Sequence, residues 1–164
     1  MGEELENTTR PLRCDELAFT SLDVVEQQGR LNKINAAFDT MSRIEDATVR
    51  SAAMEAIAIS QFKAGDQRGA LHTTQLIPHE INRNGVLTHI AFTQARSGHV
   101  KGAIETIDRI KTPLRRDAAL FGVVLIRAES HDVPGALAAA NTMGSESARR
   151  RAYMEIAHRE MARI

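Results

Sequence analysis

This chain of 164 residues has little cysteine, no net charge and no long apolar run. Its single cysteine, Cys14, excludes an internal disulfide and favours a reducing compartment. Lys plus Arg and Asp plus Glu balance at 21 each, so no global field attracts the protein to nucleic acid or to an anionic membrane. No apolar run is long enough to cross a bilayer, and residues 1–10 are too polar and acidic for a secretory signal. We therefore expect a cytoplasmic protein without membrane contact.

The patterns that mark catalytic and metal sites are missing as well. The six histidines show neither the HExxH spacing nor a Cys–His ligand spacing, and His99 and His131 are expected to be exposed in turns. The glycine-containing stretch 65–69 lacks the lysine of a phosphate-binding loop. Cys14 has no identifiable base beside it. We expect no catalytic residue, no metal and no cofactor, and a protein that is not an enzyme.

What the sequence does have is a fixed 33-residue period. Arginine recurs at this interval at Arg50, Arg83, Arg116 and Arg149. Further columns with the same interval are Ala53/Val86/Ala119/Ala152, Ile57/Ile90/Val123/Ile156 and Ala58/Ala91/Val124/Ala157. A fixed period of this length predicts stacked supersecondary units, none of which buries its apolar face alone.

Each unit is predicted to hold two helices joined by a tight turn. The i, i+1, i+4, i+5 spacing of apolar residues in the first half of a unit is helical and unlike the alternation of a strand. Gly65 and Gly98 are predicted to end first helices, and Asp66 to cap the helix that follows. Gly29 falls three residues before its place in the period, so we expect the first turn to differ. Thr112 is expected to cap a helix that begins at Pro113.

These features predict an all-α fold with one repeat domain. We expect a flexible tail at 1–10 and a single helical-repeat domain at 11–164. The units are expected at about 11–45, 46–80, 81–112 and 113–144, followed by an unpaired capping helix at 147–163. The exposed side of that helix is expected to be a solvated face of four arginines, namely Arg150, Arg151, Arg159 and Arg163.

The units resemble tetratricopeptide repeats over roughly residues 35–164. The resemblance rests on Ile57-Ala58, Gly65-Asp66 and Ala70, and it recurs at Ile90-Ala91, Gly98 and Ala103. It implies a right-handed α-solenoid of antiparallel helix pairs. Where that family has bulky aromatic residues, this chain has instead Met54, Leu87 and Leu120, and also Gln61, Gln94 and Arg127. The period is one residue shorter than the usual 34 of that family.

In such solenoids the first helices line a concave groove in which partners bind. The resemblance therefore implies a partner-binding groove formed by nine residues: Glu55, Ile59, Phe62, Thr88, Phe92, Arg96, Phe121, Leu125 and His158. Because this groove is largely apolar, it would suit a peptide or a helix of another protein. The alternative is that neighbouring helices or the N-terminal helix cover this face.

The arginine column has two interpretations. The four side chains could form a ladder for carboxylates or phosphates, or each could bind carbonyl groups at the end of the preceding helix. A residue repeated in register usually serves the repeating unit, so we favour the structural role.

Three functions remain open. The first is a protein-interaction module, such as an adaptor or a secretion or assembly chaperone, whose partner is another protein. The second is a scaffold that associates with copies of itself into a homo-oligomer. The third, an RNA-binding helical repeat, is less favoured because the net charge is zero and the predicted groove is apolar.

Overall fold

A computed structural model of the chain describes the backbone of residues 14–162 and the side chains of residues 21–162. About 80% of the described residues are helical, and no strand occurs among them. The helices are α1 Cys14–Arg30, α2 Ile34–Ser42, α3 Ala47–Lys63, α4 Gln67–Leu76, α5 Glu80–Arg96, α6 Val100–Ile107, α7 Pro113–Glu129, α8 Val133–Asn141 and α9 Glu146–Met161. The all-α prediction is confirmed. The predicted tail at 1–10, the side chain of Cys14 and Arg163 lie outside the described residues.

Long and short helices alternate along the chain. The odd-numbered helices have 16 or 17 residues, and the even-numbered helices have 8 to 10. Each odd-numbered helix up to α7 packs against the even-numbered helix after it and against the next odd-numbered helix, and α9 packs on α7 and α8. Within residues 14–162, no helix contacts another that is more than two places away in chain order. The packing is therefore local along the chain.

Small and branched residues fill the space between helices. The columns that begin at Ala53 and Ile57 are buried in all four copies, with at most 5% exposure. Ala58, Ala91 and Val124 are fully buried, whereas Ala157 in α9 is exposed. Small side chains at a helix contact shorten the distance between helix axes. Ala58 and Ala91 therefore allow neighbouring helices to pack close to α3 and α5.

The four turns between an odd-numbered helix and the following even-numbered helix share one conformation. Positive φ angles of 57° to 89° recur at Asn32, Gly65, Gly98 and His131, which are spaced by one period of the sequence. The residue after each donates its backbone N–H to a carbonyl five residues earlier, at 2.8–2.9 Å. This is the Schellman pattern, in which a left-handed residue closes a helix.

The expectation that the first turn differs was wrong. Asn32 takes the left-handed position there, which asparagine tolerates better than most residues. Gly29 lies inside α1 and is buried against Ser60 of α3, and a Cβ at Gly29 would meet the Ser60 side chain.

Of the two helix caps predicted from the sequence, the structure contains one. The carboxylate of Asp66 accepts the backbone N–H of Gly69 at 2.8 Å, so the predicted cap is confirmed. Helix α7 begins at Pro113 as predicted, but the Thr112 side chain forms no cap bond. Its hydroxyl donates instead to the carboxylate of Glu80 at the start of α5.

Polar pairs that the sequence interpretation missed join each of the first three odd-numbered helices to the next even-numbered helix. A threonine hydroxyl donates to a glutamine side-chain carbonyl in Thr40–Gln28, Thr73–Gln61 and Thr106–Gln94, at 3.0, 2.6 and 2.9 Å. Successive pairs are one period apart, and the second and third are buried. At Gln61 and Gln94 a buried, hydrogen-bonded amide therefore occupies this position of the odd-numbered helix.

Arg127 stands at the fourth position of this glutamine column and bonds differently. Its guanidinium donates to the Asp132 carboxylate at 2.8 Å and to the backbone carbonyl of Ala95, in α5, also at 2.8 Å. It therefore links α7 to the end of α5 and to the turn before α8. A planar guanidinium suits such paired acceptors.

Three residues of the arginine column bind the end of the preceding helix. The guanidinium donates to the carbonyl six residues earlier in Arg50–Ile44, Arg83–Ile77 and Arg149–Met143, at 2.9, 2.7 and 3.2 Å. The structural role that we favoured for the column is confirmed at these three positions.

The exposed side of α9 is less polar than expected. Arg159 is half-buried and pairs with Glu155 in α9 and Glu129 in α7, at 2.7 and 3.2 Å. Three large apolar side chains of α9 are exposed, namely Tyr153, Met154 and Met161. Arg150 and Arg151 are exposed as expected, whereas the Arg159 side chain is 32% exposed and forms ion pairs, and the predicted face did not include the exposed apolar residues.

Candidate functional site

The predicted groove residues lie on α3, α5, α7 and α9. Ile59, Phe92 and Leu125 occupy the same register on α3, α5 and α7, and all three are half-buried. We call these three residues, with the exposed Gly85, His89 and Ala118 one or two turns before them, the odd-helix face. His158 continues the register on α9 and is exposed.

Phe92 is partly occupied by a contact within the fold. A Cβ placed on Gly122 of α7 would clash with the Phe92 ring, so the ring rests directly on the α7 backbone. Phe92 also packs against the core cluster of α5 to α9. The neighbouring helix α7 therefore covers part of the Phe92 side chain, as the alternative to an open groove predicted.

An added methyl group should change the free energy of unfolding in opposite directions at Gly85, on the odd-helix face, and at Gly122, beneath the Phe92 ring. Gly122→Ala should lower the free energy of unfolding by about 1–2 kcal/mol, because displacement of the Phe92 ring outweighs the better helix propensity of alanine. Gly85→Ala should raise it by about 0.5–1 kcal/mol, since no atom lies within 4 Å of the added Cβ. Urea unfolding of both variants measures the difference. Equal shifts of the same sign would contradict the Phe92–Gly122 contact.

A second line of predicted residues already has partners in the next odd-numbered helix or in its own. The Glu55 carboxylate accepts a hydrogen bond from the Asn82 side chain in α5. The Arg151 guanidinium of α9 lies 4.5 Å from the centre of the Phe121 ring, a cation–π contact. The Thr88 hydroxyl donates to its own helix. These residues contribute to helix packing as well as to the surface.

Phe62 faces a different cleft from Ile59. The residues in register with Phe62 on α5 and α7 are Ala95 and Ala128, and both are buried. Phe62 itself lines a cleft of about 540 Å³ with turn residues such as Gly65 and Ser97. The predicted groove is therefore divided, with Phe62 beside the turns and not on the odd-helix face.

Two further clefts occupy corresponding places between the first two and the last two described odd-numbered helices. One of about 510 Å³ lies between α1 and α3 and is lined by Ile59, Arg30 and Lys63 among others. One of about 450 Å³ lies between α7 and α9 and is lined by residues such as His158 and Glu129, which are in register with Ile59 and Arg30. In the first cleft Ile59 lies between Arg30 and Lys63, and Glu26, the ion-pair partner of Arg30, also lines it. Both clefts are therefore lined by acidic and basic groups.

Cations follow one another at the last turns of α1, α3 and α5. Arg30, Lys63 and Arg96 are in register with one another, and all three are exposed. Partial burial, and then the positive charges of Lys63 and Arg96, lower the pKa of His89 below its usual value. His89 was not among the predicted site residues, although its place one turn before Phe92 was a usable signal. The odd-helix face is thus bordered by positive charge on α3 and α5.

The described residues offer few other candidate sites. Among the side chains of residues 21–162, no group of three or more His, Cys, Asp or Glu could hold a metal ion. None of the helices between residues 14 and 162 is long and apolar enough to cross a membrane. His99 and His131 lie in exposed turns, as predicted.

Comparison of the chain with protein-family models, with curated proteins and with solved structures found no match. The resemblance of the repeated pattern to tetratricopeptide repeats therefore stays a prediction. Conclusions about function rest on the chain's own residues.

Proposed function

We propose that the chain is a protein-interaction module that binds a peptide or helix of a partner protein along the odd-helix face. We further propose that its helix pairs form a right-handed solenoid like that of tetratricopeptide repeats. The local packing of successive helices and the recurring turn support the solenoid. Such an array presents one helix of every unit to the same side.

The observation that carries the binding proposal is the unfilled space above Gly85. This glycine lies inside α5 and is exposed, and no atom lies within 4 Å of the place where a Cβ would stand. Glycine inside a helix costs about 1 kcal/mol relative to alanine, and no internal contact of Gly85 explains it. A close approach of a partner's side chain to the α5 backbone would explain why this position is glycine. Ile59 and Leu125 on the flanking helices supply apolar contact for it.

The charges around this face select for a partner segment that carries a carboxylate. Lys63 and Arg96 are exposed, and both repel a proton on His89. Burial of the ring is the larger cause of the low pKa of His89, so a bound carboxylate must pair with the ring itself to outweigh both burial and this repulsion. With such a carboxylate the pKa of His89 should rise on binding. Binding then takes up a proton, and affinity should increase as the pH falls through the pKa of His89 in the complex toward its lower value in the free chain. NMR titration of the His89 ring with and without partner checks the sign.

Affinity capture from native lysate tests the binding face. An Ile59→Glu, Leu125→Glu variant should lose a protein that the wild-type chain retains, by about tenfold or more. Both side chains are only half-buried, so the helices should persist, as circular dichroism can verify. Phe92 is unsuited to this test because its ring rests on Gly122.

Leu76→Glu provides the matched control. Leu76 is an exposed apolar residue on α4, so the same change of chemistry falls on an even-numbered helix. It should leave capture unchanged. Loss of capture in both variants, or in neither, would remove the support for the odd-helix face.

A further inference from the structure

Positions that are buried in α5 and α7 become exposed in α9. Leu87 and Leu120 are buried, but Tyr153, in the same register on α9, is 39% exposed. Ala95 and Ala128 are buried, but Met161 is 65% exposed. In α5 and α7 these positions belong to the core cluster that extends to α9.

The even-numbered helices show the same change. Leu71 and Ile104 are half-buried against the core cluster. Leu137, in the same register on α8, is 37% exposed, and no described even-numbered helix follows α8. The uncovered surface therefore extends over both α8 and α9. We call Leu137, Tyr153, Ala157 and Met161 the C-terminal end face.

The opposite side of the unit contact is exposed at α1. Ile57 belongs to a core cluster with Val25, Ala37 and Ile44, so it faces the preceding helix pair. The residues in register with it, Ile90, Val123 and Ile156, are also buried. Val24, in the same register on α1, is 38% exposed. Among the described side chains of α1, at residues 21–30, Val24 is thus an exposed apolar residue on the side that in later units covers a C-terminal face.

We infer that the C-terminal end face binds the α1 and α2 end of a second copy of this chain, head to tail. Within the described helices, each earlier face of this kind is covered by the N-terminal side of the helices that follow, as α7 and α8 are covered by α9. The second copy supplies that side, with Val24 in the place of Ile156. This inference depends on the proposed repeat and not on the proposed partner-binding face.

Such a contact is heterologous, so it leaves a free end on each copy. It therefore builds open assemblies and not a closed two-fold dimer. Inside one chain the contact benefits from an effective concentration on the order of millimolar. Between separate chains the contact lacks this advantage and becomes concentration-dependent, so the mean mass should rise above 18.0 kDa as the protein is concentrated toward about 1 mM.

Sedimentation equilibrium of the full chain and two end variants tests the contact. Val24→Asp blocks the α1 end, and Ala157→Arg blocks the C-terminal end face. Both residues are exposed, so each variant should keep its helices. Each variant alone should remain at 18.0 kDa up to about 1 mM. Their equimolar mixture should reach twice that mass, because each contributes the end that the other lacks.

Other outcomes overturn the inference. A wild-type chain that stays at 18.0 kDa at about 1 mM has no such contact. If Val24→Asp still associates while Ala157→Arg does not, the C-terminal faces pair with each other. If mixing the variants fails to restore association, the two ends are not complementary. Met161→Asp, on the same face, replaces Ala157→Arg if circular dichroism shows a loss of helix.

Discussion

Replacement of Asp117 by alanine is expected to lower the free energy of unfolding by about 2–3 kcal/mol. This carboxylate is only 6% exposed and accepts the backbone N–H groups of Gly144 and Ser145, at 2.9 and 2.8 Å. Ser145 is the residue before α9, so one side chain of α7 fixes the junction of α8 and α9. Hydrogen bonds to a charged acceptor are stronger than neutral ones, and alanine leaves both donors without a protein partner.

The matched control for Asp117 is Ser51→Ala. Ser51 stands two periods earlier in the same register and is buried, yet its hydroxyl has no hydrogen-bond partner. Pro78, which lies two periods before Gly144, has no N–H to offer. Removal of the Ser51 hydroxyl should change the free energy of unfolding by less than about 0.5 kcal/mol. Urea unfolding followed by circular dichroism compares the two variants, and equal losses would refute the assigned role of Asp117.

Breaking the Gln94–Thr106 pair should give the second large effect. Both residues are buried, and the hydroxyl of Thr106 donates to the Gln94 side-chain carbonyl at 2.9 Å. Gln94→Leu and Thr106→Val should each lower the free energy of unfolding by about 1–3 kcal/mol, since each leaves a buried polar group unpaired. The double variant removes both groups, so its loss should be smaller than the sum.

A double-mutant cycle measures that difference. The coupling between Gln94 and Thr106 should be about 1 kcal/mol or more. The corresponding pair Gln28 and Thr40 is only half-buried, so water can replace the lost bond and its coupling should be smaller. Additive losses at Gln94 and Thr106 would show that their hydrogen bond does not stabilise the fold.

The period of the sequence predicted the helices and much of their burial. Helical spacing alone is enough to predict that a repeated apolar column is buried. Ile57 and the residues in register with it are indeed in the core. Gly65 and Gly98 marked their turns because glycine is the usual left-handed residue. Asn32 was missed for the same reason, since only the glycine was sought in the first turn.

Polar contacts inside the fold were harder to predict. The glutamine and threonine columns share the period of the apolar columns, but only the atomic arrangement shows that their side chains meet. The role of Asp117 depends on the backbone N–H groups of Gly144 and Ser145, far along the chain, which no local pattern indicates. Such bonds depend on how α7, α8 and α9 pack.

The sequence predicted which residues of the odd-numbered helices share a register, and the structure shows which of them a neighbouring helix covers. Ile59 and Leu125 are half-buried on α3 and α7, and their place in a partner-binding groove stays a prediction. The sequence could not show that Phe92 rests on Gly122, because that contact depends on the approach of α5 to α7. The perturbation of His89 by Lys63 and Arg96 likewise depends on how the side chains are placed in the folded chain.

Site-specific photo-crosslinking tests the proposed binding face most directly. A photoreactive phenylalanine analogue placed at Leu125 should join to a partner protein in native lysate, and an excess of the unmodified chain should suppress that product. The same analogue at Leu76, on α4, should give no such product. Crosslinks from position 76 and none from position 125 would contradict the account, because the partner would then contact the even-numbered helices.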